Sequence, residues 1–345
     1  MIIPTKCPYT FRPMDPEATQ SPYLPDKELP RGWQNSGTFT VSMAGARASG
    51  KSVYLAVLIR LMEQFTIKYG GVWEAANPQT QEIYDRHFGS LFEEKGRALE
   101  STRRMSDQAT YTTEPLIFSM GRLLIDGVRT PQPYFMVFRD VAGEDLEDTN
   151  VYDVQDDLAF MGISDLIVFL FDPLADQDIS QALQGMAGMN AGQALSSTPP
   201  GVVLSNVLRI IGPHRPPIAL TLSKFDVLQR LRDTDGAVRN MDKIMRNQGA
   251  AFNREGCGAA RPWSEDDSLL LHYEITSLLR TLGATRLFNQ LDSWTEGDRA
   301  YDYRCFAVSA LGFEVQDDMV SHSGIAPFRC LDPVRFMLSR YGLGL

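Results

Sequence analysis

Cysteine is scarce in this chain: Cys7, Cys257, Cys305 and Cys330, with no pair spaced C-x-x-C. Neither a disulfide framework nor a zinc ribbon is indicated. Cys7-Pro8 opens like a zinc knuckle, but Thr10 stands where the second cysteine would be. Histidine is equally thin. His87, His214, His272 and His322 are scattered, and each reads as a surface or structural residue rather than a ligand. Basic residues are outnumbered, 33 Lys and Arg against 43 Asp and Glu, for a net charge of −10. An acidic surface argues against nucleic acid or anionic membrane as the main partner. No apolar run reaches the length of a membrane span. The start, Met1 to Pro8, lacks the long apolar core of a signal peptide. The expectation is a cytoplasmic protein with no membrane span. There is no internal repeat, and 345 residues suffice for one large domain or two moderate ones.

What is present is a phosphate-binding pattern. Gly45-Ala46-Arg47-Ala48-Ser49-Gly50-Lys51-Ser52 fits G-x-x-x-x-G-K-[ST]. The alternating stretch Thr38–Met43 before it reads as a strand, and the apolar run from Val53 to Met62 after it reads as a buried helix. Strand, glycine loop and helix aim the peptide N–H groups of the loop and the helix start at one anionic site. Gly45, Ala48, Ser49, Gly50 and Val53 would contribute through that cradle. Lys51 would place its ammonium on the outer phosphates, and the Ser52 hydroxyl would ligate Mg²⁺.

Residues 1–36 hold seven prolines and little periodicity, which suggests a surface arm or partial disorder. Asn77-Pro78 marks a helix start, with Ile83, Tyr84, Phe88, Leu91 and Phe92 at helical spacing. Leu116–Met120 and Pro133–Phe138 read as paired strands, with Asp126-Gly127 as a hairpin signal between them. Asp165–Phe171, Ile218–Leu222 and Cys305–Val308 read as buried parallel strands. Helical patterns lie near 202–211 and 265–291, and a last helix spans Pro333–Arg340. Strands alternating with helices predict an α/β, doubly wound, mostly parallel sheet with helical insertions. The boundaries expected are an arm at 1–36 and one domain at 37–345. Insertions are expected near 66–108, 174–215 and 228–300.

Ligands of such sheets sit beyond the carboxyl ends of the strands. After the Pro133–Phe138 strand comes Arg139-Asp140-Val141-Ala142-Gly143-Glu144. Asp140 can hold Mg²⁺ through water, and the Gly143 N–H can meet a terminal phosphate. After the Ile218–Leu222 strand comes Ser223-Lys224-Phe225-Asp226. A carboxylate at Asp226 can accept from the ring N–H and the amino group of guanine, a pair of donors that adenine lacks on that edge. The Lys224 stem can lie along the face of the base. After the last strand, backbone N–H groups of Ser309-Ala310-Leu311 can donate to the guanine oxygen.

In order and in strand context these four motifs resemble P-loop GTPases of the Ras-like, translation-factor-related class. Within it the chain is most similar to the bacterial double-GTPase families, through its long insertions and closing Asp332-Pro333-Val334 helix. The resemblance implies a Mg²⁺-dependent switch binding GTP/GDP, with slow hydrolysis and a protein effector or activating partner, in a bacterial multi-protein regulatory or conflict system. It implies a first-switch threonine that closes on Mg²⁺. Thr110, Thr112 and Thr113 stand there, with Thr113 or Thr112 favoured. The implied catalytic set is Lys51, Glu144 and Thr113. Ser223 replaces the usual asparagine, which predicts looser nucleotide binding. Glu144 stands where a glutamine would orient water, so it is either repelled by the triphosphate or acts as a base. Arg103 and Arg104 could act as an arginine finger in cis, or be a solvated basic pair. Two other readings stay open: a scaffold that holds nucleotide without useful turnover, and an ATPase.

Overall fold

The computed structural model describes residues 3–89, 114–125, 130–147, 155–183, 198–233, 240–256, 261–294, 300–312 and 325–343. Strand β1 (Gly37–Ala44) is buried along its whole length. Strict alternation would leave one face of such a strand to water, yet its polar residues are covered and bonded. Thr38 Oγ1 accepts from the Lys6 N–H (3.2 Å), and Ser42 shares a hydrogen bond with Ser164 (2.6 Å). Thr40 donates through its N–H and its hydroxyl to Asp165 Oδ2, each at 2.8 Å. The other Asp165 oxygen takes the Lys6 ammonium (2.6 Å) and the Tyr341 hydroxyl (2.8 Å). A buried ion pair is tolerable when its remaining bonding capacity is filled, as here.

Six more strands complete the sheet: β2 (Glu74–Ala75), β3 (Leu116–Leu123), β4 (Gln132–Asp140), β5 (Leu166–Phe171), β6 (Ile218–Leu222) and β7 (Tyr303–Ala307). Their order is β2-β3-β4-β1-β5-β6-β7. The β2–β3 and β3–β4 pairs are antiparallel; the other pairs are parallel. After β1 the chain builds β2 to β4 on one side, then β5 to β7 on the other. That reversal puts the end of β1 at the topological switch point of a doubly wound α/β sheet. β5 and β6 are buried throughout, as continuous apolar runs should be.

Helix α1 (Lys51–Lys68) follows the glycine loop, and α2 (Pro78–His87) is capped by Asn77 Oδ1, which accepts from the Thr80 N–H (2.7 Å). Leu91 and Phe92 of its expected face, and the Asp126-Gly127 turn, lie outside the described residues. The chain continues through α3 (Gly143–Glu147), α4 (Gln177–Ala182), α5 (Pro200–Ile211), α6 (Phe225–Gln229) and α7 (Met241–Arg246). It ends with α8 (Glu265–Leu282), α9 (Thr285–Ser293) and α10 (Asp332–Arg340). The single pattern expected near 265–291 is therefore two helices. Gly283 divides them at φ +101°, a left-handed cap that ends α8. Helices α5 and α8, inside stretches expected as insertions, carry the β5-to-β6 and β6-to-β7 crossovers.

The N-terminal arm packs on this domain through buried anchors. Cys7, Phe11 and Trp33 are fully buried, and Trp33 meets Phe135 of β4 at a ring distance of 4.5 Å. The arm also grips the ends of two strands. Arg139 donates to Tyr9 O (2.8 Å), and Lys27 pairs with Glu114 (2.6 Å). Among the described residues no helix is long and apolar enough to cross a membrane.

Candidate functional site

The sheet registers bring the chemistry to one edge. Met43 of β1 pairs with Asp140 of β4, Phe171 of β5 with Leu222 of β6, and Leu222 with Ala307 of β7. The Gly45–Ser52 loop, Asp140–Gly143, Ser223–Asp226 and Ser309–Leu311 therefore all leave the carboxyl side of the sheet. Four motifs spread over more than 260 positions converge there.

The loop has the backbone its glycines allow. Gly45 sits at φ +147°, and a Cβ there would lie 2.2 Å from Leu170 O. Gly50, at φ +90°, leads into α1. Ala48 takes a left-handed φ of +56°, which is uncommon for a residue with a side chain. Lys51 is buried, and its ammonium donates to Gly45 O (2.6 Å) and Ala46 O (2.8 Å). Burial pushes its pKa down, and the carboxylates of Asp140, Glu147 and Glu144 oppose that shift. Ser49 Oγ is buried with no hydrogen-bond partner among the described residues. Ser52 and Val53 are half-buried at the start of the helix.

Beside the loop lies the end of β4. Asp140 is buried. Gly143 opens α3 so close to the loop that a Cβ would stand 2.5 Å from Arg47 N. Helix α3 then reaches back over the loop. Glu147 Oε1 accepts from the Arg47 N–H at 2.5 Å, and Glu144 faces Arg47 Nε at 3.3 Å. Sequence reasoning left Arg47 and Glu147 out of the site. Arg47 stood within the motif but at one of its variable positions, and nothing local marks Glu147.

The third and fourth motifs meet directly. Ser309 Oγ donates to Asp226 Oδ1 at 2.6 Å and accepts from the Gly312 N–H at 3.0 Å. The Phe225 N–H donates to Val308 O (3.1 Å), which fixes one loop on the other. Lys224, at φ +50°, pairs its ammonium with Asp172 at 2.6 Å. Ser223 Oγ donates to Phe171 O at 2.9 Å, so the hydroxyl ties its loop to β5. Ala310 and Leu311 are half-buried beside Ser309. Thr110, Thr112, Thr113, Arg103 and Arg104 lie outside the described residues.

The residues suit a phosphate chain with a hard divalent cation. Room for a side chain is missing at Gly45, against Leu170 O, and at Gly143, against Arg47 N, so the loop packs tightly on β5 and on the start of α3. No group of three or more His, Cys, Asp or Glu that could hold a metal alone occurs among the described residues. One carboxylate (Asp140) and one hydroxyl (Ser52) are what Mg²⁺ requires when phosphate and water supply the other ligands.

A curated relative covers most of this chain. It is the Mycolicibacterium smegmatis protein named "Putative ESX-1 scaffolding and assembly protein SaeC", 35% identical over 316 residues, 91% of this chain and 78% of the relative. The chain belongs to the SaeC family. No protein-family model matches it. Among solved structures, the S. cerevisiae Ski7 GTPase-like domain bound to GDP and inorganic phosphate matches 79% of this chain at 12% identity and a TM-score of 0.33. This chain spans 43% of that Ski7 chain, and 49% of a GTP-bound Ski7 chain (TM-score 0.32). The signal recognition particle receptor SRb-GTP/SRX complex from Chaetomium thermophilum matches 81% of this chain at 14% identity and a TM-score of 0.26. Scores this low carry no argument. The α/β P-loop NTPase fold of this SaeC-family chain rests on its strand order and its glycine loop.

Proposed function

We propose that the chain is a guanine-nucleotide switch that binds GTP with Mg²⁺ and hydrolyses it slowly to GDP and phosphate. One observation supports this above the others. The Ser309–Asp226 hydrogen bond at 2.6 Å holds a carboxylate at the same sheet edge as the phosphate loop. Guanine offers that carboxylate its ring N–H and its amino group together, a pair of donors that adenine lacks on one edge. Bound Mg²⁺ would neutralise phosphate charge, held by Ser52 and Asp140. Lys51 and the loop N–H groups would stabilise charge on the outer phosphates as water attacks phosphorus and the bridging oxygen leaves with GDP. A first-switch threonine, Thr113 or Thr112, would complete the metal shell. The ends of the guanine site, Ala310 and Leu311, would offer N–H groups to the base oxygen.

The relative's name speaks of scaffolding and assembly. We carry that over as a proposal: the nucleotide state controls binding to protein partners in a bacterial multi-protein system. The narrower likeness to double-GTPase families rests on the insertions and the closing helix. A second reading, a scaffold that holds nucleotide without turnover, is favoured by one contact. Glu144 faces the Arg47 guanidinium instead of standing alone to orient water. Single-turnover assays with GTP and ATP, each with and without Mg²⁺, separate these readings. The main proposal expects slow, Mg²⁺-dependent conversion of GTP alone. Binding without conversion, even with cell extract added, selects the scaffold, and conversion of ATP alone rejects the guanine site.

A further inference from the structure

We infer that Glu147 is a specificity-determining residue that biases the site toward the nucleoside diphosphate, an inference that rests on the guanine-nucleotide reading above. A phosphate loop works by offering peptide N–H groups to an anion. One of these, the Arg47 N–H, is held by a carboxylate of the chain itself, Glu147 Oε1, at 2.5 Å. Its place in the loop indicates which phosphate it serves. Arg47 N is the atom that a Cβ on Gly143 would strike at 2.5 Å, so it lies on the side of the loop turned toward Asp140–Gly143. The terminal phosphate belongs on that side, near Gly143 and the carboxylate that serves the metal. The inner phosphates belong over Gly50 to Ser52, where α1 begins. The Lys51 ammonium feels Glu147 as well as Asp140 and Glu144, so this carboxylate adds negative charge to the same small volume.

A diphosphate can therefore sit in the loop with Glu147 in place. A triphosphate brings a second anion to the same N–H and must displace it. The displacement has a route outward. Helix α3 is only five residues long, and its Leu146 O accepts from Asn206 Nδ2 of α5 at 2.9 Å. Glu147 is half-buried at the last position of α3, so its side chain can swing to solvent while that bond keeps α3 on α5.

The test is equilibrium titration with fluorescent GDP and a fluorescent, non-hydrolysable GTP analogue, in Mg²⁺, for the natural chain, Glu147→Gln and Glu147→Ala. Glutamine keeps an acceptor for the Arg47 N–H and removes only the charge. Both variants should tighten binding of the triphosphate by about tenfold or more, the scale of one charged hydrogen bond, and leave diphosphate affinity unchanged. An equal shift for both nucleotides, or none for either, overturns the inference while the guanine site stands. If the natural chain binds neither nucleotide, the reading beneath it falls as well, and no variant is needed to see that.

Discussion

Replacing Asp226 with asparagine tests base recognition at its narrowest point. Asp226 Oδ1 already accepts from the Ser309 hydroxyl at 2.6 Å, which fixes the carboxylate plane and leaves Oδ2 and a second Oδ1 lone pair for a base. Guanine presents two donors to that edge, its ring N–H and its amino group. Asparagine keeps one acceptor, so Ser309 can hold its place and the fold should persist. Its amide then points donors at a donor of guanine. Losing one charged hydrogen bond costs about 1.5–3 kcal/mol, or about 10–150-fold in Kd. Xanthine has a carbonyl where guanine has the amino group, so the same amide now meets an acceptor. Calorimetric titration with GDP and with xanthosine diphosphate should show GDP weakening over that range and the xanthine nucleotide gaining. An unchanged Kd for GDP, or equal weakening of both, would refute the assignment of Asp226 to the base.

Lys51→Ala removes an ammonium expected to make two charged bonds to phosphate, a loss of about 3–6 kcal/mol; fluorescent GDP titration should find no saturable binding. Arg329→Ala should destabilise the fold by about 3–5 kcal/mol in urea melts. Its buried guanidinium donates to Asp332, Asp267 and the carbonyls of Ala251 and Arg254; truncation strands the buried Asp332 carboxylate, while Asp267 keeps Arg254. His272 gives a pH signature: burial, helped by Arg304, holds its pKa down to about 4, and its Nδ1 accepts from the Cys305 N–H (3.0 Å). In the unfolded chain it takes a proton near pH 6.5, so stability from this group is complete above that and falls as pH drops toward 4. Urea melts at pH 7 and pH 5 should differ by about 2 kcal/mol from His272, and His272→Asn should remove that share of the difference.

The readability of this chain follows the range of the interactions involved. The Leu166–Phe171 strand and the phosphate loop are local patterns, and both elements stand where period and motif put them. Asn77-Pro78 announces α2 for the same reason. Gly283 offered a signal for the break between α8 and α9, but the apolar period runs through it and hides the break. The arm reads as proline-rich coil because its stability comes from Phe11 and Trp33 entering a core built by residues a hundred or more positions away. Thr38, Thr40 and Ser42 look like a solvent face until Lys6, Asp165 and Ser164 are seen to cover them. The Glu147 contact with the phosphate loop joins positions 100 residues apart and follows no motif. Asp226 and Ser309 each belong to a motif that follows a strand, so both are legible in the sequence, though the bond between them is not.

The most direct test of the central claim is to denature the freshly purified protein and identify the nucleotide released, with and without prior EDTA treatment. The account predicts close to one guanine nucleotide per chain, retained in Mg²⁺ and lost to the chelator. Adenine nucleotide in its place, or no bound nucleotide together with no calorimetric response to GDP or GTP, would contradict it.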